Sequence, residues 1–195
     1  MIPVNWGTQS RMDLIQRFID VNQYQSYLEI GVSKGLCWNQ IQAPKKTGVD
    51  PTSPIPNIIA QDSDTFFTHN KDRFDIIFID GDHQYDQVIK DINNAWRCLN
   101  DKGVIILHDM IPVNHKQGSN PRIKGDASWC GDVYKANFDL KSHHYAVCLI
   151  DHGCGIIKRL KSTIEPKHHN IDFDYYARNW VQIPTQTYEN IQFEM

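Results

Sequence analysis

The residues with the clearest chemical pattern lie between positions 27 and 50, in YLEIGVSKGLCWNQIQAPKKTGVD. Glu29 lies in an apolar run, and Gly31 and Gly35 follow it closely. Asp50 ends the next apolar run. Glycines let a chain turn tightly and approach a ligand, and the first amides of a following helix bind anions. An acid at the end of the second strand is typical of a residue that hydrogen-bonds a ribose diol. The pattern predicts a nucleoside-cofactor site.

The residue between the two glycines indicates which cofactor fits. In the dinucleotide fingerprint G-x-G-x-x-G, the second glycine lets the backbone touch a pyrophosphate. Ser33 occupies that position here. The loop therefore favours a cofactor without a diphosphate, such as S-adenosylmethionine. Two alternatives stay open: a dinucleotide-dependent oxidoreductase, which Ser33 and the lack of an evident hydride-transfer pair disfavour, and a non-catalytic cofactor-binding module.

A second group of polar residues follows two later apolar runs. FDIIFID leads into Asp80, Asp82 and His83, and GVIILHD ends in His108 and Asp109. Ligands of doubly wound sheets bind beyond the C-terminal strand ends, so these side chains are expected to meet near the cofactor. Crowded carboxylates raise one another's pKa unless a cation compensates. A divalent metal would do so, and it would also acidify a bound hydroxyl.

The elements that must position these residues are strands alternating with helices. The predicted parallel strands are SYLEI, TGV, NIIA, FDIIFID and GVIILHD. Continuous apolar strands between helices are typical of a parallel sheet covered on both faces. Two later runs, YAVCLID and CGIIKRL, are separated only by His152 and Gly153, which demands an antiparallel hairpin.

Three segments show helical features. Apolar residues at helical spacing predict a helix over Met12 to Val21, with Thr8 or Ser10 as its N-cap. Residues 85–99 carry an apolar helix face, beside which Asp91 is predicted to be solvated. A third helix is predicted over 133–140.

Composition bounds the class of protein. With 195 residues, the chain is long enough for one domain plus a tail. A formal charge of −3 lacks the basic footprint of nucleic-acid binding. No apolar run is long enough to span a membrane, and the first residues do not resemble a signal peptide. Five cysteines without a C-x-x-C pair favour free thiols and a cytoplasmic location.

The long motif FIDGDHQYDQVIKDINNAWRCLNDKGVIILHD, residues 78–109, resembles a known family. It is similar to class I S-adenosylmethionine-dependent methyltransferases, in the bacterial branch related to macrocin-type sugar O-methyltransferases. WCGDVYKANFDL from Trp129 and IDHGCGIIK from Ile150 are also like this branch. The resemblance spans roughly residues 27–158. It implies an α/β fold with a doubly wound, Rossmann-like, seven-stranded sheet that is mostly parallel and has an antiparallel C-terminal hairpin.

The resemblance also implies an activity and a set of site residues. The reaction would be O-methylation of a sugar, a nucleotide sugar or another small hydroxylated metabolite in glycan or secondary-metabolite biosynthesis. Asp82 would be the general base, and His108 stands where those enzymes have a second aspartate, which leaves the metal open between Mg, Mn, a softer ion and none. The candidates are Asp82 and His83 for catalysis; Glu29, Gly31, Ser33, Gly35, Asp50, Asp62, Ser63 and Asp80 for the cofactor; and Asp80, His108 and Asp109 for the metal.

Several candidates also have a purely structural interpretation. The glycines could simply make a tight turn, and Asp82 could cap the helix beginning near Tyr85. Asp62 and Ser63 could cap a loop, and His83 could be a buried structural partner. The sequence leaves these alternatives open.

Two further segments have predicted roles. The loop from Met110 to Ser128 is long and is expected to shape the acceptor site. Trp129, Asp132 and Lys135 could face the acceptor, or Asp132 could cap the helix after it. Residues 1–161 are predicted to form the methyltransferase domain. The aromatic tail, 162–195, would pack on that domain or on a partner, as in a homodimer.

Overall fold

The computed structural model describes residues 1–125 and 128–195. Within these ranges the strands are β1 (Ser26–Ile30), β2 (Lys45–Val49), β3 (Phe74–Ile79), β4 (Leu99–Leu107), β5 (His144–Cys148), β6 (Cys154–Arg159) and β7 (Thr185–Gln186). They form one seven-stranded sheet in the order β2-β1-β3-β4-β6-β5-β7. The first four strands are parallel, and β6 is antiparallel to both of its neighbours. The predicted fold class is confirmed.

Five α-helices lie in the described part of the chain: α1 (Arg11–Asn22), α2 (Ser63–His69), α3 (Tyr85–Arg97), α4 (Ala136–Leu140) and α5 (Phe173–Asn179). Ser10 is the N-cap of α1, as one of the two predicted candidates. Its hydroxyl accepts from the Asp13 amide at 3.3 Å, and the Asp13 carboxylate accepts from the Ser10 amide at 2.7 Å. This reciprocal capping box fixes where α1 begins.

The helices cover both faces of the sheet. On one face α1 buries Leu14 and Phe18 against alternate strand residues, including Tyr27 and Phe78. On the other face the strand residues between them pack against α2, α3 and α4. Strands buried on both faces need apolar residues throughout, which is why FDIIFI and GVIIL read as continuous apolar runs.

The predicted strand NIIA is wrong. Residues 57–60 make only an isolated parallel bridge, between Ile59 and Val49. The Ile59 amide donates to the Gly48 carbonyl oxygen at 2.9 Å, but Pro54 and Pro56, just before this segment, lack the amide hydrogens that would extend the ladder in that direction. The seventh strand is instead β7, which pairs in parallel with β5.

The helix expected directly after the glycine loop is also absent from the described structure. Residues 33–40 form turns. Ser33 and Gly35 have φ of 49° and 77°, which lie outside the range of a right-handed helix. The loop therefore has no helix N-terminus to offer a ligand, and its amides act individually.

The segment after residue 161 packs against the sheet. Ile164, Phe173 and Tyr176 are buried in the same cluster as α3 and α4. Ile183 joins this cluster just before β7. Among the described residues, the five cysteines are free thiols, and Cys98 is the one that is only partly buried. No helix in the described ranges is long and apolar enough to cross a membrane.

Candidate active site

A cleft of about 910 Å³ opens at the C-terminal ends of β1 to β4. Its volume is that of a small-molecule site. The predicted site residues that line it are Glu29, Gly31, Ser33, Asp50, Asp62, Ser63, Asp80, Asp82, His83, His108 and Asp109. Gly35 is the predicted residue that does not line the cleft. The parallel strands bring together two motifs that lie far apart in the sequence.

Glycine occurs at positions 31 and 35 for different structural reasons. Gly31 has φ of 89°, and a Cβ there would lie 2.1 Å from the Asp80 carbonyl oxygen. Gly31 therefore lets the loop after β1 cross closely over the loop after β3. A Cβ on Gly35 would lie 2.8 Å from Ile55, so Gly35 is required by packing beneath the loop.

Glu29 is a buried carboxyl in the floor of the cleft. It is 1% exposed, and the Tyr27 hydroxyl donates to its Oε2 at 2.6 Å. Burial raises the pKa of Glu29 to about 7; the Tyr27 hydrogen bond opposes the rise, and the Asp80 charge adds to it. A cationic ligand group beside Glu29 would favour its ionised form.

Asp50 is held in place by the turn that it terminates. Its Oδ2 accepts from the Ser33 amide at 2.7 Å, and its Oδ1 accepts from the Thr52 amide at 2.7 Å. Thr52 Oγ1 also donates to Oδ1, at 3.2 Å, and a carboxylate oxygen has about two lone-pair sites, so Oδ2 is the oxygen that can still accept a further hydrogen bond. Its position fits a hydroxyl of a ribose diol.

Asp80, His83 and Asp109 form a group that could ligate a metal. One ligand atom from each lies within 4.8 Å of the other two. His83 Nδ1 is 3.3 Å from Asp109 Oδ2, and His83 Nε2 is 3.7 Å from Asp80 Oδ1. Asp109 has φ of 61°, a conformation that is uncommon for a non-glycine residue and is often found at functional sites.

His108, the predicted third ligand, lies beside this group and has a different environment. Its Nδ1 is 3.2 Å from Asp80 Oδ1 and 3.4 Å from Asp109 Oδ2. Burial lowers the pKa of His108, but the charges of Asp80 and Asp109 outweigh that effect and raise it well above its usual value. A raised pKa favours the protonated imidazole, whose charge would balance the carboxylates. That His108 ligates a metal stays a prediction.

Arg11 and Asp151 are site residues that the sequence did not single out. The Arg11 NH1 group donates to Asp151 Oδ2 at 2.7 Å and lies 3.3 Å from His108 Nε2. Burial raises the pKa of the Asp151 carboxyl, but His108 and Arg11 outweigh it and hold that pKa well below its usual range. Arg11 lines the cleft from the first turn of α1. The sequence feature that could have indicated Arg11 is its position at the start of an amphipathic helix.

Asp82 lies at the mouth of the cleft. It is exposed, and Gln84 Nε2 donates to its Oδ2 at 3.0 Å. It does not cap α3, because the first amide of that helix, on Tyr85, donates to Asp132 Oδ1 at 2.9 Å. The side chain that caps α3 is therefore that of Asp132 and not that of Asp82. Asp132 caps α3 and not the helix that follows it in the sequence.

His83 is held by Trp129. The two rings stack with centroids 5.0 Å apart, and His83 Nδ1 is 2.9 Å from the Trp129 carbonyl oxygen. Trp129 lines the cleft, whereas Asp132 and Lys135 pair with each other at 2.9 Å outside it. Asp126 and Ala127, within the predicted acceptor loop, lie outside the described residues.

The remaining candidates lie where α2 and α3 meet. The Asp62 side chain caps α2 by accepting from the Thr65 amide at 2.7 Å, and Ser63 Oγ accepts from Gln87 Nε2 at 3.2 Å. The prediction that Asp91 is solvated is wrong: it is 1% exposed, and burial raises its pKa to about 6. It accepts from Gln87 Nε2 at 3.1 Å.

Most of the cleft lies in a part of the chain that is similar to a known family. Residues 28–110 match the family model described as a methyltransferase domain, and that range covers most of β1, all of β2 to β4 and the loops that follow β1 to β3. The match does not favour a dinucleotide-dependent oxidoreductase. Comparison with curated protein sequences gives no match.

Solved structures share the fold at low sequence identity. A protein described as a caffeoyl-CoA O-methyltransferase from Staphylococcus aureus is 16% identical, with a TM-score of 0.54 over 78% of this chain and 84% of that one. The Podospora anserina methyltransferase PaMTH1, bound to S-adenosylhomocysteine, is 15% identical, with a TM-score of 0.55 over 79% and 80%. MycE from the mycinamycin biosynthetic pathway is 15% identical, with a TM-score of 0.50; the match covers 78% of this chain and 50% of MycE.

Proposed function

We propose that this protein is an S-adenosylmethionine-dependent methyltransferase that methylates a hydroxyl group of a sugar or another small hydroxylated metabolite. The observation that carries the proposal is the position of Asp82. An exposed carboxylate faces the same cleft as the carboxylates of Glu29, Asp50 and Asp80. A proton acceptor beside a cofactor pocket is what transfer to a hydroxyl requires.

The residues present fit the cofactor. S-adenosylmethionine carries an ammonium group, a ribose diol and the sulfonium methyl group that is transferred. The carboxylates of Glu29 and Asp80 would hold the ammonium, and Asp50 would accept from the diol. Gly31 and Ser33 shape the loop at the amino-acid end, with Gly35 packed beneath. Asp62 and Ser63 line the adenosine end.

Asp82 and His83 are the proposed catalytic pair. Asp82 takes the proton of the acceptor hydroxyl, and its exposure leaves it accessible to an incoming molecule. His83, fixed by its stacking on Trp129, lines the cleft beside Asp82, where its ring would contact the acceptor. Methyl transfer is an in-line displacement, so this alignment supplies much of the rate.

Asp80, His83 and Asp109 are the proposed ligands of a divalent cation. Two carboxylates and one imidazole suit Mn²⁺, with Mg²⁺ as the harder alternative. The cation would lower the pKa of the acceptor hydroxyl. MycE, which shares the fold, was crystallised with Mg, S-adenosylhomocysteine and mycinamycin VI. His108 would balance the remaining negative charge without ligating the ion.

The acceptor would enter past the loop that begins at Met110. Arg122 lies over the Trp129 ring at 5.4 Å from its centroid, next to the cleft wall. His115, Lys116 and Lys124 are exposed on the same loop. The positive charge of Lys116, Arg122 and Lys124 suits an acceptor that carries a phosphate, such as a nucleotide sugar.

Two measurements test the proposal. Calorimetry with S-adenosylhomocysteine and with NAD⁺ should show binding of the former only. Incubation with isotopically labelled S-adenosylmethionine and a panel of nucleotide sugars, phenols and amines should then label a hydroxylated member of the panel. Binding of NAD⁺ alone would overturn the cofactor assignment, and labelling of amines alone would overturn the hydroxyl acceptor.

A further inference from the structure

Arg11 places a guanidinium at the floor of the cleft with one donor unused. The side chain is 15% exposed, and its Nε lies 3.9 Å from Asp80 Oδ2. Among the described residues, the buried Nε has no hydrogen-bond partner. A buried donor without a partner costs free energy comparable to a lost hydrogen bond, so the guanidinium has hydrogen-bonding capacity that its protein neighbours do not use.

The orientation of Arg11 is fixed by Asp151. One carboxylate oxygen, Asp151 Oδ2, accepts from both the Arg11 main-chain amide at 3.3 Å and the NH1 group at 2.7 Å. Asp151 comes from the loop between β5 and β6, and β3 and β4 lie between β1 and β6 in the sheet. Asp151 thus holds the start of α1 and the Arg11 guanidinium together, and the Nε edge of the guanidinium faces Asp80.

The charges around Arg11 match a zwitterion. Glu29 and Asp80 provide negative charge suited to an ammonium group. A carboxylate bound next to them would be repelled unless a cation lay within a few ångströms. Arg11 supplies such a cation with a guanidinium that lines the cleft, beside His108, whereas Lys34 is exposed on the loop rim. A guanidinium also presents donors in a planar fork that matches a carboxylate.

We infer that Arg11, which lines the cleft, binds the carboxylate of the methionine part of the cofactor through its guanidinium. The inference rests on the proposed cofactor. It makes α1, which lies outside the residues matched by the family model, a part of the cofactor site. Asp151 is then a positioning residue that acts through Arg11. A purely structural role would instead have Arg11 only neutralise Asp80 and Asp151, with no preference for a ligand carboxylate.

Two ligands separate these roles. S-adenosylhomocysteine carries both the ammonium and the carboxylate, and its decarboxylated analogue, S-adenosyl-3-thiopropylamine, carries only the ammonium. Calorimetry would compare them on the wild type, Arg11→Gln and Arg11→Lys. The matched control is Arg17→Gln on the exposed side of the same helix, where the guanidinium lies 5.8 Å from the Phe193 ring centroid.

The wild type should prefer S-adenosylhomocysteine. Arg11→Gln should lose roughly tenfold to a hundredfold in affinity for it, the range for a hydrogen bond between charged groups, and keep its affinity for the amine. Arg11→Lys keeps the charge and is the variant to use if Arg11→Gln does not fold. It should lose part of the preference for S-adenosylhomocysteine over the amine. Arg17→Gln should behave as the wild type.

Three results would overturn the inference. Equal losses for both ligands in the Arg11 variants would indicate a structural role, and an unchanged affinity for S-adenosylhomocysteine would exclude the contact. A wild type that binds neither ligand would refute the cofactor assignment itself, so the two failures are distinguishable.

Discussion

Gly131 lies against the main-chain carbonyl of His83 so closely that a Cβ on Gly131 would be 1.9 Å from that oxygen. The Asp132 amide donates to the same carbonyl at 3.2 Å. The loop before α4 is therefore fastened to the backbone of a proposed catalytic residue. Gly131 also has φ of 67°, which an L side chain rarely adopts.

Gly131→Ala should displace His83 and lower both the melting temperature and methyl transfer. The matched control is Gly125→Ala, because Gly125 has φ of 93° and no heavy atom of the described residues lies within 4 Å of its Cβ position. The control carries only the backbone strain, about 1 to 2 kcal/mol. Equal activity in the two variants would contradict the role given to the Gly131–His83 contact.

Cofactor affinity should depend on pH through Glu29. Its pKa is raised to about 7 by burial, and an ammonium group binds the ionised carboxylate. As pH falls from 8 to 6, Glu29 becomes protonated and affinity for S-adenosylhomocysteine should fall about tenfold. Calorimetry on Glu29→Gln should give a weak affinity that stays constant over this range. A wild-type affinity that is flat between pH 6 and 8 would exclude Glu29 from the ammonium site.

Metal binding should distinguish His83 from His108. Titration with Mn²⁺ should show that His83→Ala loses affinity. His108→Gln should keep or gain affinity, because it removes a positive charge 3.2 Å from Asp80. Excess chelator should abolish methyl transfer, and Mn²⁺ should restore it. If His108→Gln loses Mn²⁺ binding while His83→Ala retains it, the ligand set predicted from the sequence is the correct one.

The sequence predicted those parts of the site that depend on local pattern. Asp80 and Asp109 each end a continuous apolar strand, and parallel strand ends must meet at one edge of a sheet. The apolar run NIIA has the same local pattern, but it follows two prolines and forms only an isolated bridge. The two parts of the Arg11–Asp151 pair are 140 residues apart, so only the folded sheet brings them together. No periodic pattern in the sequence could have predicted that contact.

Asp91 should destabilise the protein at neutral and alkaline pH. Its folded pKa of about 6 lies above the unfolded value of about 3.9. Between these values the folded state binds more protons than the unfolded state, so stability falls as pH rises and the full cost is present above the folded pKa. Two pKa units correspond to roughly 2 to 3 kcal/mol.

Asp91→Asn should therefore raise the melting temperature at pH 8 and have little effect at pH 4. The amide oxygen can still accept from Gln87, whose Nε2 is 3.1 Å from the present carboxylate. Asp86→Asn on the same helix is the control, since the Asp86 side chain is 65% exposed. An equal gain at both pH values would show that the effect is not one of ionisation.

Asp82 should be required for turnover and dispensable for cofactor binding. Asp82→Asn keeps the shape of the side chain and its hydrogen bond from Gln84, but the amide cannot take a proton. Removing a general base typically lowers the rate about a hundredfold to ten-thousandfold. Single-turnover methyl transfer should show a loss in that range, with S-adenosylhomocysteine affinity unchanged. Asp64→Asn, which removes another exposed carboxylate of the same cleft, should leave the rate near the wild-type value. Full turnover in Asp82→Asn would remove the base from the mechanism. A rate loss in Asp64→Asn as large as that in Asp82→Asn would mean that the negative charge of the cleft, and not a proton acceptor, limits the reaction.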